Sequence, residues 1–287
     1  DIIFSSSPPP TVHLIANKLA KWSKIKWVAD FRDPWADRFD YVASNRSRLT
    51  CWLDEQLEKK VLKKANWITA VSPGFQKLLD SKWSIIAKSS VLYNGFDDQD
   101  FERLKYEKDA KDYITIVHIG SLSKSQNPVR LIQSVKLYNE AHMQKPIIIK
   151  CIGYVHPDIY KLVKIEKLEY FFKILPYLDH QKAVEEMANS DYLLLVVPDL
   201  EKNEGIVPSK LFEYFSSRSE IILVGNKESD AAKLMIKTGY NYIYNFDESI
   251  NFTNMIPKEH YNEKLISKFK RREQSKDLAN IFRKVLC

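Results

Sequence analysis

The chain has 287 residues, 45% hydrophobic and 28% charged, the composition of a globular protein of about two domains. Its three cysteines, Cys51, Cys151 and Cys287, are too scattered for a disulfide framework or a metal spacing, which points to a reducing compartment. No apolar run reaches the roughly 18 residues of a membrane span, and 44 Lys and Arg against 37 Asp and Glu leave a charge of +7, suited to a phosphorylated ligand, an anionic membrane surface or nucleic acid.

The chain opens at Asp1 and runs straight into a strand, Ile2 to Phe4, so the front of the first domain is expected upstream. A proline-rich turn follows, and Thr11 is expected to cap a helix from Val12 to Lys21. Strands are expected at Trp27 to Phe31, Trp67 to Val71 and Ser90 to Tyr93. Helices are expected from Arg48 to Asn66 and from Pro73 to Leu79. Asn94-Gly95 is expected to make a tight turn. The run from Glu102 to Asp112 is almost wholly charged, and the domain boundary is placed there: a first domain at 1–108 and a second at 112–260.

Alternation then resumes. Strands are expected at Ile114 to Ile119, Pro146 to Ile152, Phe172 to Leu175, Tyr192 to Val197 and Ile221 to Val224. Helices are expected at Pro128 to Ala141, Pro157 to Ile165, Gln181 to Asn189, from Ser209, and at Ser229 to Thr238. The tail, 261–287, reads as one basic helix that packs back on the first domain. Strands alternating with helices imply parallel sheets covered on both faces. The fold class is therefore α/β, two Rossmann-like domains, the first incomplete, facing across a cleft.

The segment Glu204 to Glu213 carries the most chemistry. An apolar strand ends in Pro198, and a loop of small and rigid residues then delivers Ser209 and Lys210 to a helix start. Glu213 follows one turn on. A phosphate at a helix N-terminus with a hydroxyl-bearing group beyond suits this order. A capped core helix with a solvated Lys and a surface Glu is the other reading of the same residues.

Gly205-Ile-Val-Pro-Ser-Lys-Leu-Phe-Glu213 resembles the donor-binding motif of GT-B-fold glycosyltransferases, particularly family 4 enzymes of bacterial surface-polysaccharide assembly. Asp30-Phe-Arg-Asp-Pro-Trp35, Thr69-Ala-Val-Ser72, Tyr93-Asn-Gly-Phe-Asp97, His118-Ile-Gly-Ser-Leu122, Asp191, Ser229-Asp-Ala-Ala-Lys-Leu234 and Lys268-Phe-Lys-Arg-Arg-Glu273 resemble that group in the same order. The resemblance implies that Glu213 holds the ribose of a nucleotide-sugar donor, that Lys210 and Ser209 meet its diphosphate, and that Gly205, Ile206, Val207 and Pro208 offer backbone to the sugar. A side chain at Gly205 would then push the donor away. The same resemblance implies that Gly120, Ser121 and Lys124 neighbour the phosphates and that Tyr177 or Leu175 flanks the base. Asp33 and Arg32 fall on the acceptor side, where Arg32 serves either the reaction or an ion pair with Asp33.

Two positions depart from the pattern. Gln126 stands where the family carries a basic residue before Asn127-Pro128, and the position eight before Glu213 is Gly205, with Glu204 just outside. The implied activity is transfer of a sugar, with retention of configuration and no metal cofactor, from a nucleotide-diphosphate donor to a glycan or polyprenyl-linked acceptor. The implied place is the cytoplasm, peripheral to the inner membrane, with Lys268, Lys270, Arg271 and Arg272 docking on the first domain or on anionic lipid. A non-catalytic nucleotide-sugar binder is the alternative. Nucleic acid is not expected, since the basic tail carries only Phe269 as an aromatic and no recognition motif.

Overall fold

Short apolar runs become parallel strands because both of their faces are covered by helices. The computed structural model describes residues 1–37, 46–102, 111–200, 203–255 and 261–287. The chain divides into two units. One comprises Asp1–Asn94, Gly205–Val207 and Arg271–Cys287, the other Gly95–Glu204 and Pro208–Lys270. The charged run at 103–110, expected as the linker, lies outside the described residues.

In the first unit, β1 (Ile2–Ser7), α1 (Thr11–Ser23), β2 (Lys26–Phe31), α2 (Arg48–Lys64), β3 (Trp67–Ala70), α3 (Pro73–Trp83) and β4 (Ser89–Val91) alternate. The strands form a parallel sheet in the order β1-β2-β3-β4. Phe4 stands opposite Val28, and Val28 opposite Trp67. Trp27, Ala29, Phe31, Ile68 and Ala70 from the sheet bury against Val61 and Leu62 of α2 and Phe75 and Leu79 of α3.

Three details differ from the expectation. Thr11 is the first residue of α1 rather than its cap, because Pro10 already has helical φ −62° and ψ −22°. Helix α2 stops at Lys64, since the Asn66 side chain accepts a hydrogen bond from the Trp27 amide at 2.9 Å and its own amide donates to the Trp27 carbonyl. Residues 94 and 95 form no turn, the Asn94 side chain being engaged by Arg32.

The second unit begins with a short helix, α4 (Gln99–Glu102). It continues through β5 (Ile114–Ile119), α5 (Val129–Ala141), β6 (Ile147–Ile152), α6 (Pro157–Ile165), β7 (Phe172–Leu175), α7 (His180–Ala188), β8 (Tyr192–Val196), α8 (Lys210–Ser217), β9 (Glu220–Val224), α9 (Asp230–Thr238) and β10 (Tyr242–Tyr244). The sheet order is β10-β9-β8-β5-β6-β7, all parallel. Every residue of β8 and β9 is buried, as expected of central strands covered on both sides. Ser229 caps α9 by accepting from the Ala232 amide at 3.2 Å. Strand β10 has no counterpart among the expected elements: it is three residues long and only partly buried.

The tail is not one helix. A short helix, α10 (Glu263–Ile266), passes through a 3-10 turn at Ser267–Phe269, and α11 (Arg271–Leu286) starts afresh. Burial breaks it: Phe269 packs on Phe212 and Phe215 with ring centroids 5.1 and 6.0 Å away, and Lys270 pairs with Asp98 at 2.6 Å. Helix α11 belongs to the first unit, where Phe282 meets Phe4 edge-on at 5.5 Å and the Lys284 ammonium lies 4.1 Å from the Trp67 ring centroid. Among the described residues no helix is long and apolar enough to cross a membrane.

Asn139 of α5 shows how a helix is fixed to the sheet. Its Nδ2 donates to the Ile147 carbonyl at 2.9 Å, and its Oδ1 accepts from the Ile147 amide at 2.7 Å, all of it buried. Asn139→Leu would leave a buried donor and a buried acceptor unmade. We expect it to cost about 2–4 kcal/mol, read as a lower urea midpoint at unchanged slope.

Candidate donor site

In an open parallel sheet, ligands collect at the carboxyl ends of the strands where the strand order reverses. In the second unit that point lies between β5 and β8, since the chain builds β5-β6-β7 to one side and β8-β9-β10 to the other. Asp191 fixes the far ends of this pair: its carboxylate accepts from the Thr115 amide and hydroxyl, both at 2.8 Å. His118 joins them nearer the carboxyl ends, with Nδ1 2.9 Å from the Leu194 carbonyl and Nε2 3.4 Å from that of Ser121. Complete burial, and secondarily the nearby Lys210 charge, lower the His118 pKa to about 3, so the ring is neutral.

Lys210 is the first residue of α8. Its Nζ donates to the Ile119 carbonyl at 2.7 Å and lies 3.0 Å from the place a Cβ on Gly120 would take. Gly120 has φ +107°, so the backbone turns here in a way that a side chain resists. Burial lowers the Lys210 pKa to about 8, with the Glu213 charge acting the other way. Glu213 is half-buried in the first turn of the same helix. Ser209 precedes the helix, and its hydroxyl makes no capping bond. The Tyr214 hydroxyl accepts from the Ile119 amide at 3.3 Å, which steadies the strand end that Lys210 grips.

The neighbouring strand ends complete this corner. The Ser121 and Tyr177 hydroxyls are 2.8 Å apart, and Tyr177 is exposed. Beneath them Gly153 has φ +124°, and a Cβ there would stand 2.5 Å from the Gly120 carbonyl oxygen. Gly153 escaped the sequence reading; Gly153-Tyr154 directly after an apolar strand was the signal that could have found it. Lys124 is exposed on a one-turn 3-10 helix. Gln126 closes that turn by accepting from the Ser123 amide at 3.1 Å and clamps β8 by donating to the Val196 carbonyl at 2.8 Å. An amide thus holds two loops together at a position where the resembled family carries a cation.

The structure therefore gathers Gly120, Ser121, Tyr177 and Lys210 at one corner, with Pro208, Ser209 and Glu213 at the start of α8. Gly205, Ile206 and Val207 group with the first unit. There the Gly205 carbonyl accepts from the Ser72 hydroxyl at 2.7 Å, and a Cβ on Gly205 would stand 2.7 Å from the Phe75 nitrogen. A side chain at Gly205 would therefore meet the backbone of Gly74 and Phe75. Arg32 and Asp33 also lie in the first unit, directly after β2. Asp33 is exposed, and Arg32 pairs with buried Asp30, Nε to Oδ2 2.7 Å, rather than taking Asp33 as its structural partner.

Two parallel α/β units, the second with a strand-order reversal under a lysine-bearing helix start, define a protein of two Rossmann-like domains. No protein-family model and no curated protein matches the chain. Among solved structures it is similar to a glycosyltransferase from Rickettsia africae, with TM-score 0.68 and 14% identity, covering 100% of this chain and 77% of that one. It is similar to sucrose-phosphate synthase from Thermosynechococcus elongatus, with TM-score 0.71 and 12% identity over 99% of this chain and 73% of that one. HepE from Anabaena, solved in complex with UDP, gives TM-score 0.68 and 14% identity over 99% and 79%. The fold is that of GT-B glycosyltransferases.

Proposed function

We propose that the chain is a retaining glycosyltransferase of family 4 type. It moves a sugar from a nucleotide-diphosphate donor to a glycan or polyprenyl-linked acceptor in surface-polysaccharide assembly, at the cytoplasmic face of the membrane. The observation that carries this reading is Lys210 over Gly120 at the strand-order reversal. The binding of UDP by HepE, a protein of the same fold, supports a nucleotide donor.

Departure of the leaving group places negative charge on a diphosphate. Lys210 and the backbone N–H groups at the start of α8 would meet that charge, in a corner where burial makes the interaction stronger than it is in water. Gly120 leaves room for the phosphate oxygens to approach the backbone. Glu213, one turn on, would accept hydrogen bonds from the ribose hydroxyls. On the acceptor side Asp33 would orient the attacking hydroxyl. We assign no protein nucleophile and no metal; the donor phosphate takes the acceptor proton.

Calorimetric titration of UDP and then of UDP-glucose, followed by an NMR assay of sugar release and transfer, tests the reading. Nucleotide binding that Lys210→Met weakens supports it; a chain that binds no nucleoside diphosphate overturns it. Binding without turnover by the full-length protein favours a nucleotide-sugar-binding relative, a reading the neutral Gln126 clamp supports.

A further inference from the structure

At the carboxyl end of the first unit's sheet lies a polar cluster that the donor corner does not use. Asp30, the fifth residue of β2, is fully buried. Its Oδ1 accepts from the Thr69 hydroxyl at 2.5 Å, and its Oδ2 accepts from the Ser6 hydroxyl and from Arg32 Nε, both at 2.7 Å. Three strands thus supply one hydrogen-bonded carboxylate. Arg32 is held from its other side as well: Nη1 donates to Asn94 Oδ1 at 2.9 Å and more weakly to the Tyr93 carbonyl at 3.4 Å. Nη2 has no partner among the described residues, and the side chain keeps 27% of its surface open.

A guanidinium pinned through Nε and Nη1 has lost its rotational freedom before any ligand arrives, and one nitrogen remains to present outward. That arrangement suits a phosphoryl oxygen, which accepts a charge-assisted hydrogen bond at less entropic cost from a fixed donor than from a flexible ammonium. We propose that Arg32 is an anion-binding residue for a phosphoryl group, and that Asp30, with Ser6, Thr69 and Asn94, is its positioning residue. The identification of that phosphoryl group with the acceptor's rests on the glycosyltransferase reading; the anion site itself does not. The phosphoryl group can come from a soluble sugar phosphate or from a lipid diphosphate.

The test uses the full chain carrying Lys210→Met, so that the cation of the donor corner is gone, and titrates inorganic pyrophosphate by calorimetry. Adding Arg32→Gln is expected to weaken binding at least tenfold. Adding Arg32→Lys, which keeps the charge and can still reach Asp30, is expected to recover only part of it. Asp30→Asn should weaken binding about threefold with Arg32 present. Pyrophosphate binding left unchanged by either Arg32 substitution, in chains whose melting temperature matches the parent, overturns the proposal. Arg32→Lys guards against a misfolded Arg32→Gln chain.

Glucose 1-phosphate and a short-chain isoprenyl diphosphate form the two source arms. Tighter Arg32-dependent binding of either supports the site and names the source. With Arg32→Gln already in place, adding Lys210→Met is still expected to weaken UDP binding at least tenfold, so failure of this proposal and failure of the donor-site reading give different results.

Discussion

Lys210→Met is expected to weaken binding of a nucleoside diphosphate by about 10- to 100-fold, the worth of one charge-assisted hydrogen bond of about 1.5–3 kcal/mol. If the chain transfers sugar, turnover should fall further, about 100- to 1,000-fold, because the charge on the leaving diphosphate is greatest in the transition state. The fold should survive, and stability should hold or rise slightly. Lys210 is placed where its charge is costly, and its pKa falls from 10.5 to about 8 because burial disfavours the ammonium.

The pH dependence separates these effects. With the folded-state pKa below the unfolded one, the unfolded chain binds more protons between about pH 8 and pH 10.5. The charge penalty is therefore fully present below about 8 and is relieved as the pH rises toward 10.5, so this residue's contribution makes the folded state gain stability across that window. The Met variant should lack this rise. Anion binding should run the opposite way: it should be flat below about pH 8 and weaken above it as Lys210 loses its proton, while the Met variant shows no such inflection. Paired denaturation and UDP titrations at pH 7 and pH 9 measure both. Affinity equal in the two proteins at pH 7 would remove Lys210 from the site.

Gly153→Ala is expected to destabilise the fold strongly. At φ +124° an alanine is strained by about 1–3 kcal/mol before any contact is considered. Its Cβ would then stand 2.5 Å from the Gly120 carbonyl oxygen, 3.0 Å from the Gly120 carbonyl carbon and 2.9 Å from the Tyr177 ring. The first two are backbone at the end of β5 and cannot swing aside as a flexible side chain could. Relief requires moving the strand end, at about 1–3 kcal/mol more. The sum of about 2–6 kcal/mol should lower the melting temperature by about 5–20 °C in a domain of this size.

The neighbouring glycines provide contrasts. Gly120→Ala carries the same kind of backbone strain at φ +107°, but its Cβ would meet only the flexible Lys210 side chain, with Nζ at 3.0 Å, so it should destabilise less than Gly153→Ala while also disturbing nucleotide binding. A Cβ on Gly225, whose φ is ordinary, would meet the Val197 side chain at 3.0 Å and should be milder than Gly153→Ala. A Gly153→Ala protein melting within 2 °C of wild type would show that the β5 and β6 ends are not held against each other as described.

Much of the second unit was legible in advance because its strands are uninterrupted apolar runs with capping residues between them. Ile114–Ile119, Pro157–Ile165 and Phe172–Leu175 fall on their expected bounds. Expectation failed where a tertiary partner outbid local preference. Helix propensity favoured an unbroken tail, but burial of Phe269 against Phe212 and Phe215 stops the helix at Lys270. Asn-Gly favours a turn at 94–95, but the Asn94 side chain is engaged by Arg32. Strand β10 went unseen, being three residues without a fully buried position.

By itself the order of residues determined the alternation of strand and helix, the delivery of Lys210 and Glu213 to the start of one helix, and the place of Arg32 after a strand. These follow from periodicity and spacing along the chain. Which groups those side chains meet was decided only in three dimensions: Lys210 reaches a carbonyl 91 residues away and Arg32 an amide 62 residues away. The reason is the sheet order. Strand β8 lies beside β5 rather than beside its sequence neighbour β7, so the loops around Lys210 come from distant segments, and burial at that junction sets the charge that Lys210 can carry.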